Sequence, residues 1–172
     1  MSLADPASVD ELLNFRLARL LGSSGALVIR LCEGRYGITR REWRLIAMLA
    51  AHGAMSPSEL AEHARIDRAR ASRVITALVS KRLLERSHPP GDRRRARIDL
   101  TESGRRLYAE LFPQSASLNK LVVRDLSPAL LAAFDQALGQ MTIAAENLCR
   151  TYPLDLKADR RHGGSRKTAG FR

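Results

Sequence analysis

Residues 56–100 read SPSELAEHARIDRARASRVITALVSKRLLERSHPPGDRRRARIDL, and the local signals in this stretch decide the fold. Ser56 and Glu59 form an S-x-x-E capping box, in which hydroxyl and carboxylate satisfy orphan backbone donors reciprocally. Pro57 occupies the first helical position, where its missing N–H costs nothing. A short helix over about 57–64 follows, and Asp67 caps a second over about 68–81. Ile66, Ala71, Val74, Ile75 and Leu78 place apolar side chains on one face of the second helix. Arg68, Arg70, Ser72, Arg73 and Thr76 occupy the opposite face. Beyond it Leu84, Arg86 and His88 alternate with polar neighbours, Pro89-Pro90-Gly91-Asp92 turns the chain, and Ala96, Ile98 and Leu100 alternate again. That pattern is a β-hairpin with Arg93, Arg94 and Arg95 at its tip.

Working outward, Thr39 with Glu42 caps a helix over about 40–52 that Gly53 ends, and Ser8 with Glu11 marks a first helix over about 9–32. Inside that first helix Gly22-Ser23-Ser24-Gly25 is a poor helix former. It predicts either a kink or the close approach of another helix. Thr101 starts a fifth helix that Pro113 is expected to kink or break, and Ser127-Pro128 starts a sixth. On the sixth, Leu131, Phe134, Leu138, Met141, Ala145 and Leu148 are spaced 3, 4, 3, 4, 3. This is a heptad-type seam, suited to a partner helix, although an ordinary core-facing stripe has the same spacing. The little globular body left for it to cover favours a dimer interface. After Pro153 the chain carries Lys157, Arg160, Arg161, Arg166, Lys167 and Arg172 against Asp155 and Asp159, and reads as a flexible basic tail.

The fold class is therefore mainly α with a small β-hairpin wing. With 172 residues, 45% of them hydrophobic and only 5% aromatic, the chain supports a helical core of one domain. Its formal net charge of +11 draws it to a polyanion, whether nucleic acid or an acidic membrane surface. The charge is concentrated: residues 65–106 hold thirteen Arg or Lys against five Asp or Glu. No uninterrupted apolar run approaches the ~20 residues of a membrane span. The polar N-terminus does not read as a signal peptide, and a soluble, cytoplasmic protein is expected. Cys32 and Cys149 form neither a metal motif nor a disulfide framework, and His52, His63, His88 and His162 show no ligand spacing. No metal, cofactor or enzyme is expected, since no nucleotide-binding glycine pattern, nucleophile elbow or zinc-protease motif occurs.

Two capped helices followed by a charged hairpin are the parts of a winged helix-turn-helix, whose second helix enters the major groove of duplex DNA. Arg68, Ala69, Arg70 and Ser72, near the start of that helix, are placed for base edges. Arginine reads guanine bidentately, and a small side chain meets a thymine methyl. Arg73, Thr76 and Lys81 suit phosphates, which fix register without reading sequence. Ser56 and Arg86, with Arg93, Arg94 and Arg95 of the hairpin, complete the DNA-facing set.

The stretch from Thr39 to Leu107 resembles the MarR family. The most telling pieces are SPSELAEHARID, ASRVITALV and GDRRRARIDLTESG. The resemblance implies that Asp92 and Arg94 brace the wing, with an arginine at its tip reaching the minor groove. It also implies a homodimer built from the first, fifth and sixth helices and binding a pseudo-palindromic operator. The organisation it suggests is an N-terminal dimerisation helix over 8–36, the DNA-binding module over 37–100, C-terminal dimerisation helices over 101–152 and the basic tail over 153–172. The sequence departs from the family at Arg82, where a glycine is usual, so a different local turn is expected there. MarR-like proteins often release DNA on binding a small aromatic anion, and Arg16, Arg19, Trp43, Arg44 and His52 are the candidates to line such a cleft. The residues by themselves favour the plainer arrangement, with the arginines solvated and Trp43 in the core. The family's peroxide-sensing cysteine is absent from Leu13-Asn14-Phe15-Arg16. The function these readings point to is a sequence-specific transcriptional regulator, as a base rate a repressor. A sequence-indifferent architectural DNA binder is the alternative that the basic tail supports.

Overall fold

The computed structural model describes residues 3–88 and 96–153. Six α-helices and one hairpin follow in chain order: α1 (Leu13–Tyr36), α2 (Arg40–His52), α3 (Pro57–His63), α4 (Arg68–Ser80), β1 (Leu84–Ser87), β2 (Arg97–Leu100), α5 (Glu102–Val123) and α6 (Pro128–Thr151). The chain divides into two units, residues 1–124 and 125–172.

The caps act where the sequence placed them, except at the first helix. Thr39 and Ser56 each close a full capping box, and Asp67, Thr101 and Ser127 each accept an amide of the first turn. Ser8 makes no capping bond: Val9–Glu11 forms one 3-10 turn, and Glu11 accepts from the Ala7 amide instead at 3.0 Å. The α-helix therefore begins at Leu13, and it runs past Cys32 to Tyr36, where Gly37 ends it in the left-handed conformation at φ 60°. The Gly22–Gly25 segment stays helical. Gly22 faces open space, whereas a Cβ on Gly25 would stand 3.1 Å from an Arg40 guanidinium nitrogen. The neighbour at Gly25 is thus the tip of a side chain from the start of α2.

Pro113 does not break α5. Side chains on both sides of it are anchored: Leu111 is fully buried, Tyr108 stacks on Trp43, and the Gln114 amide donates to the Tyr36 hydroxyl. Tertiary contacts thus hold the helix where the proline removes a backbone bond.

The core gathers Leu45, Ile46 and Leu49 of α2, Leu60 of α3, Ile75 and Leu78 of α4, Leu84, Ile98 and Leu100 of the hairpin and Leu111 of α5. β1 and β2 pair antiparallel with Leu84 opposite Leu100 and Arg86 opposite Ile98. Met55 and Ile98 exchange two backbone bonds of 3.1 and 2.8 Å, fastening the segment before α3 to the wing. In the second unit α6 buries none of its residues, and Phe134 and Leu148 of the expected seam are exposed, as is Ile143.

Candidate nucleic-acid interface

Recognition by a helix requires one face fixed and the other free. In α4 the fixed face is Ala71, Ile75 and Leu78, all buried, with Val74 partly so. Arg68, Ala69, Arg70, Ser72, Arg73 and Thr76 on the other face are exposed. The Arg70 side chain makes a 3.5 Å pair with Asp67, which is exposed on both sides. Such pairs are weak and give way readily to a better anion. Asp67 itself caps the helix: the Arg70 amide holds its carboxyl below the usual carboxylate range. The Thr76 hydroxyl donates back to the Ser72 carbonyl at 3.0 Å, which leaves its lone pairs outward.

The turn that sets α3 against α4 is built around Arg65, at φ 53°, and the Ile66 amide donates to the Ala61 carbonyl at 3.0 Å. Ser56 caps α3, accepting from the Glu59 amide at 3.2 Å, while Glu59 accepts from the Ser56 amide at 2.7 Å. The Ser56 amide is the main cause that keeps the Glu59 carboxyl below its ordinary range. Arg86 is exposed on β1, and the guanidinium of Arg97, which lies on β2 opposite Ser87, donates to the Ala54 carbonyl. Asp92, Arg93, Arg94 and Arg95 lie outside the described residues.

Lys81, expected at a phosphate, is engaged within the protein in this structure. Its ammonium donates to both carboxylate oxygens of Glu42, at 2.8 and 2.9 Å, and to the Gly37 carbonyl at 2.9 Å. The Glu42 side chain is 5% exposed. Burial alone pushes its carboxyl up, but the Lys81 ammonium and the Thr39 donors outweigh this and hold it below the ordinary range. The sequence marked Glu42 only as a cap; that the same carboxylate also receives a lysine thirty-nine residues away has no local signature.

Arg82 keeps the left-handed conformation expected of glycine, at φ 57°. Its carbonyl accepts from the Thr101 hydroxyl at 2.7 Å, and the Thr101 amide donates to Leu83 at 3.1 Å. Three residues on, a Cβ at Gly104 would stand 2.2 Å from the Leu83 carbonyl oxygen. The Leu-Thr-Glu-Ser-Gly exit therefore has a mechanical basis, since α5 starts hard against the backbone between α4 and β1.

The five cleft candidates each have surroundings of their own among the described residues. Trp43 stacks on Tyr108 with ring centres 5.6 Å apart, and Tyr108 stacks on Phe112 at 5.3 Å. Arg44 donates to the Ala64 carbonyl at the end of α3 at 3.2 Å, and the His52 ring lies 4.8 Å from that of His63. Arg16 and Arg19 are exposed on α1. Sequence reading missed Tyr108 and Phe112, which the spacing i, i+4 on α5 puts on one face. Burial raises the Cys32 thiol, so it stays protonated at neutral pH, and Cys149 is exposed. Among the described residues no helix is long and apolar enough to cross a membrane, and no group of three or more His, Cys, Asp or Glu is placed to hold a metal ion.

Residues 36–95 match the sequence model of the MarR family. The HTH-type transcriptional regulator FarR of Neisseria gonorrhoeae is 36% identical over 74 residues, 43% of this chain and 51% of the relative, so the match spans about half of that protein. The HTH-type transcriptional repressor NicR of Pseudomonas putida is 28% identical over 110 residues, 64% of this chain and 70% of the relative. Among solved structures, BpsR of Bordetella bronchiseptica superposes with a TM-score of 0.69 at 27% identity. The match covers 80% of this chain and 98% of that one, and the BpsR structure addresses regulation of DNA binding by 6-hydroxynicotinic acid. With the winged helix-turn-helix built from the residues upward and these likenesses spanning it, the chain belongs to the MarR family of transcriptional regulators.

Proposed function

We propose that this protein is a sequence-specific regulator that binds a pseudo-palindromic operator as a homodimer and represses transcription until a small aromatic anion releases it. The observation that carries the reading is α4, whose buried Ala71, Ile75 and Leu78 present Arg68, Ala69, Arg70, Ser72, Arg73 and Thr76 as one exposed face. Arg68 and Arg70 read guanines in the major groove while Ala69 and Ser72 meet neighbouring base edges. Arg73 and Thr76 hold phosphates. Arg86 and the arginines Arg93, Arg94 and Arg95, with Asp92 as brace, carry the wing towards the minor groove, whose narrow, electronegative tracts favour arginine.

Dimerisation is supported by large apolar side chains that a monomer leaves in water, among them Phe15, Leu20 and Leu27 on α1 and Phe134 and Leu148 on α6. Two recognition helices in one dimer then address half-sites about 34 Å apart, one turn of B-DNA. The effector reading is supported by the aromatic ladder Trp43–Tyr108–Phe112, which ends half-exposed at Phe112, and by the hydroxynicotinic acid of BpsR. Trp43 is the chain's single tryptophan, so its emission reports on the ladder directly. Titration with a panel of hydroxylated aromatic acids should quench it saturably with the compound that also frees the operator in a gel shift. Saturable quenching by none of them, together with operator binding indifferent to all, sinks the effector part of the proposal.

A further inference from the structure

The contacts at the C-terminal end of α4 hold that helix to three others at one corner. Lys81, the residue that ends α4, donates to Glu42 at the start of α2 and to the carbonyl of Gly37, which closes α1. The next residue, Arg82, accepts from Thr101, the cap of α5. Along its length α4 is also held by apolar burial, with Ala71, Ile75 and Leu78 turned inward. Apolar burial resists separation, yet it is non-directional and tolerates small tilts and rotations of the helix. A three-bond ammonium clamp on a carboxylate that is itself locked by the Thr39 capping box does not.

We propose that Lys81 is a positioning residue rather than a DNA contact: through Glu42 and Gly37 it sets the pitch of the recognition helix, and makes that pitch follow the α1–α2 corner. This rests on the regulator reading above and names the point at which α1 and α2 take hold of the DNA-reading element. An operator demands that several side chains of α4 reach their base edges together, so a loosened pitch weakens specific binding. Non-specific binding is phosphate-driven and tolerates misalignment.

Glu42→Gln is the direct test. The glutamine keeps a capping-box acceptor for Thr39 and leaves every Lys and Arg in place. Lys81→Gln alone strands a buried carboxylate and risks unfolding, so the double variant E42Q/K81Q accompanies E42Q, with thermal melting as the check on folding. The readouts are the affinity for a selected operator, the affinity for random DNA, and the salt dependence of both. For both variants the clamp predicts operator affinity lowered at least about five-fold, with random-DNA affinity unchanged. For E42Q the salt slope also stays at the wild-type value. Three results overturn it: unchanged operator affinity; equal losses on operator and random DNA, which mark a merely structural role; or, in E42Q, tighter random-DNA binding with a slope steeper by about 0.9, which marks a freed Lys81 reaching a phosphate. A wild-type protein with no operator preference overturns the regulator reading, and the clamp's role with it.

Discussion

Arg82 pays a conformational cost in the left-handed region, where its Cβ crowds the following carbonyl by about 1 kcal/mol. The corner over-determines it, because Arg82 donates to Val79, accepts from Thr101, and is followed by the bond from Leu83 to Leu78. Arg82→Gly is expected to raise unfolding stability by up to about 1 kcal/mol in urea titration, with no gain from Arg82→Ala. Gly104 is the converse case: Gly104→Ala drives a methyl into the Leu83 carbonyl and should destabilise by about 1–3 kcal/mol in the same assay. Glu42 gives stability a pH dependence of definite sign. Its folded-state carboxyl titrates below the ordinary value of 4.5, so its contribution is complete above that value and disappears as pH falls through the folded one. Stability measured from pH 7 down through this window should fall more steeply in the wild type than in E42Q; identical profiles would show that Glu42 carries no such linkage. Of these residues only Arg82 stood out in the sequence, as a departure from a familiar glycine. Gly104 and Glu42 were legible as parts of motifs, but their neighbours across the fold were not, because neither a clash with Leu83 nor an ion pair with Lys81 leaves a local trace.

At the scale of elements, the recognition helix is where a sequence reading reaches furthest. Asp67 at its cap, the apolar spacing of Ala71, Ile75 and Leu78, and the cations between them are local features, and local features fix helix start, buried face and exposed face together. The same logic placed α2, α3 and α6. It failed at Ser8, where the box residues were present but Glu11 found the Ala7 amide instead, and of the kink or break expected at Pro113 the break does not occur, with side chains on both sides of the proline packed on α1 and α2. The cleft candidates were legible only as chemistry: Arg44 and His52 suit an anion, yet α2 turns them towards Ala64 and His63 rather than towards Trp43. For α4, Arg70→Ala should relax base preference at one position of each half-site by about 1–3 kcal/mol, read as a flattened column in a binding-site selection. A selection that returns the wild-type preference would remove Arg70 from the base-reading set. The seam on α6 makes its own prediction. Under the proposed homodimer, Leu138→Glu should halve the mass seen by light scattering, and an unchanged mass would remove the seam from the proposed interface.

At the scale of the whole molecule, charge and apolar surface divide the labour. The +11 net charge supplies attraction to any nucleic acid, concentrated around α4 and the wing segment, while the uncovered apolar side chains of α1 and α6 suit a second copy. Attraction alone describes an architectural binder; a regulator needs the base-reading face of α4 to add preference that salt does not erase. The most direct test is therefore a gel-shift titration of the full chain against DNA fragments from its own genomic neighbourhood, at rising salt and in excess competitor. A sequence-specific regulator keeps a preference of at least about 10³-fold for one fragment as salt increases. Equal binding to every fragment, lost in parallel as salt rises, would contradict the regulator reading.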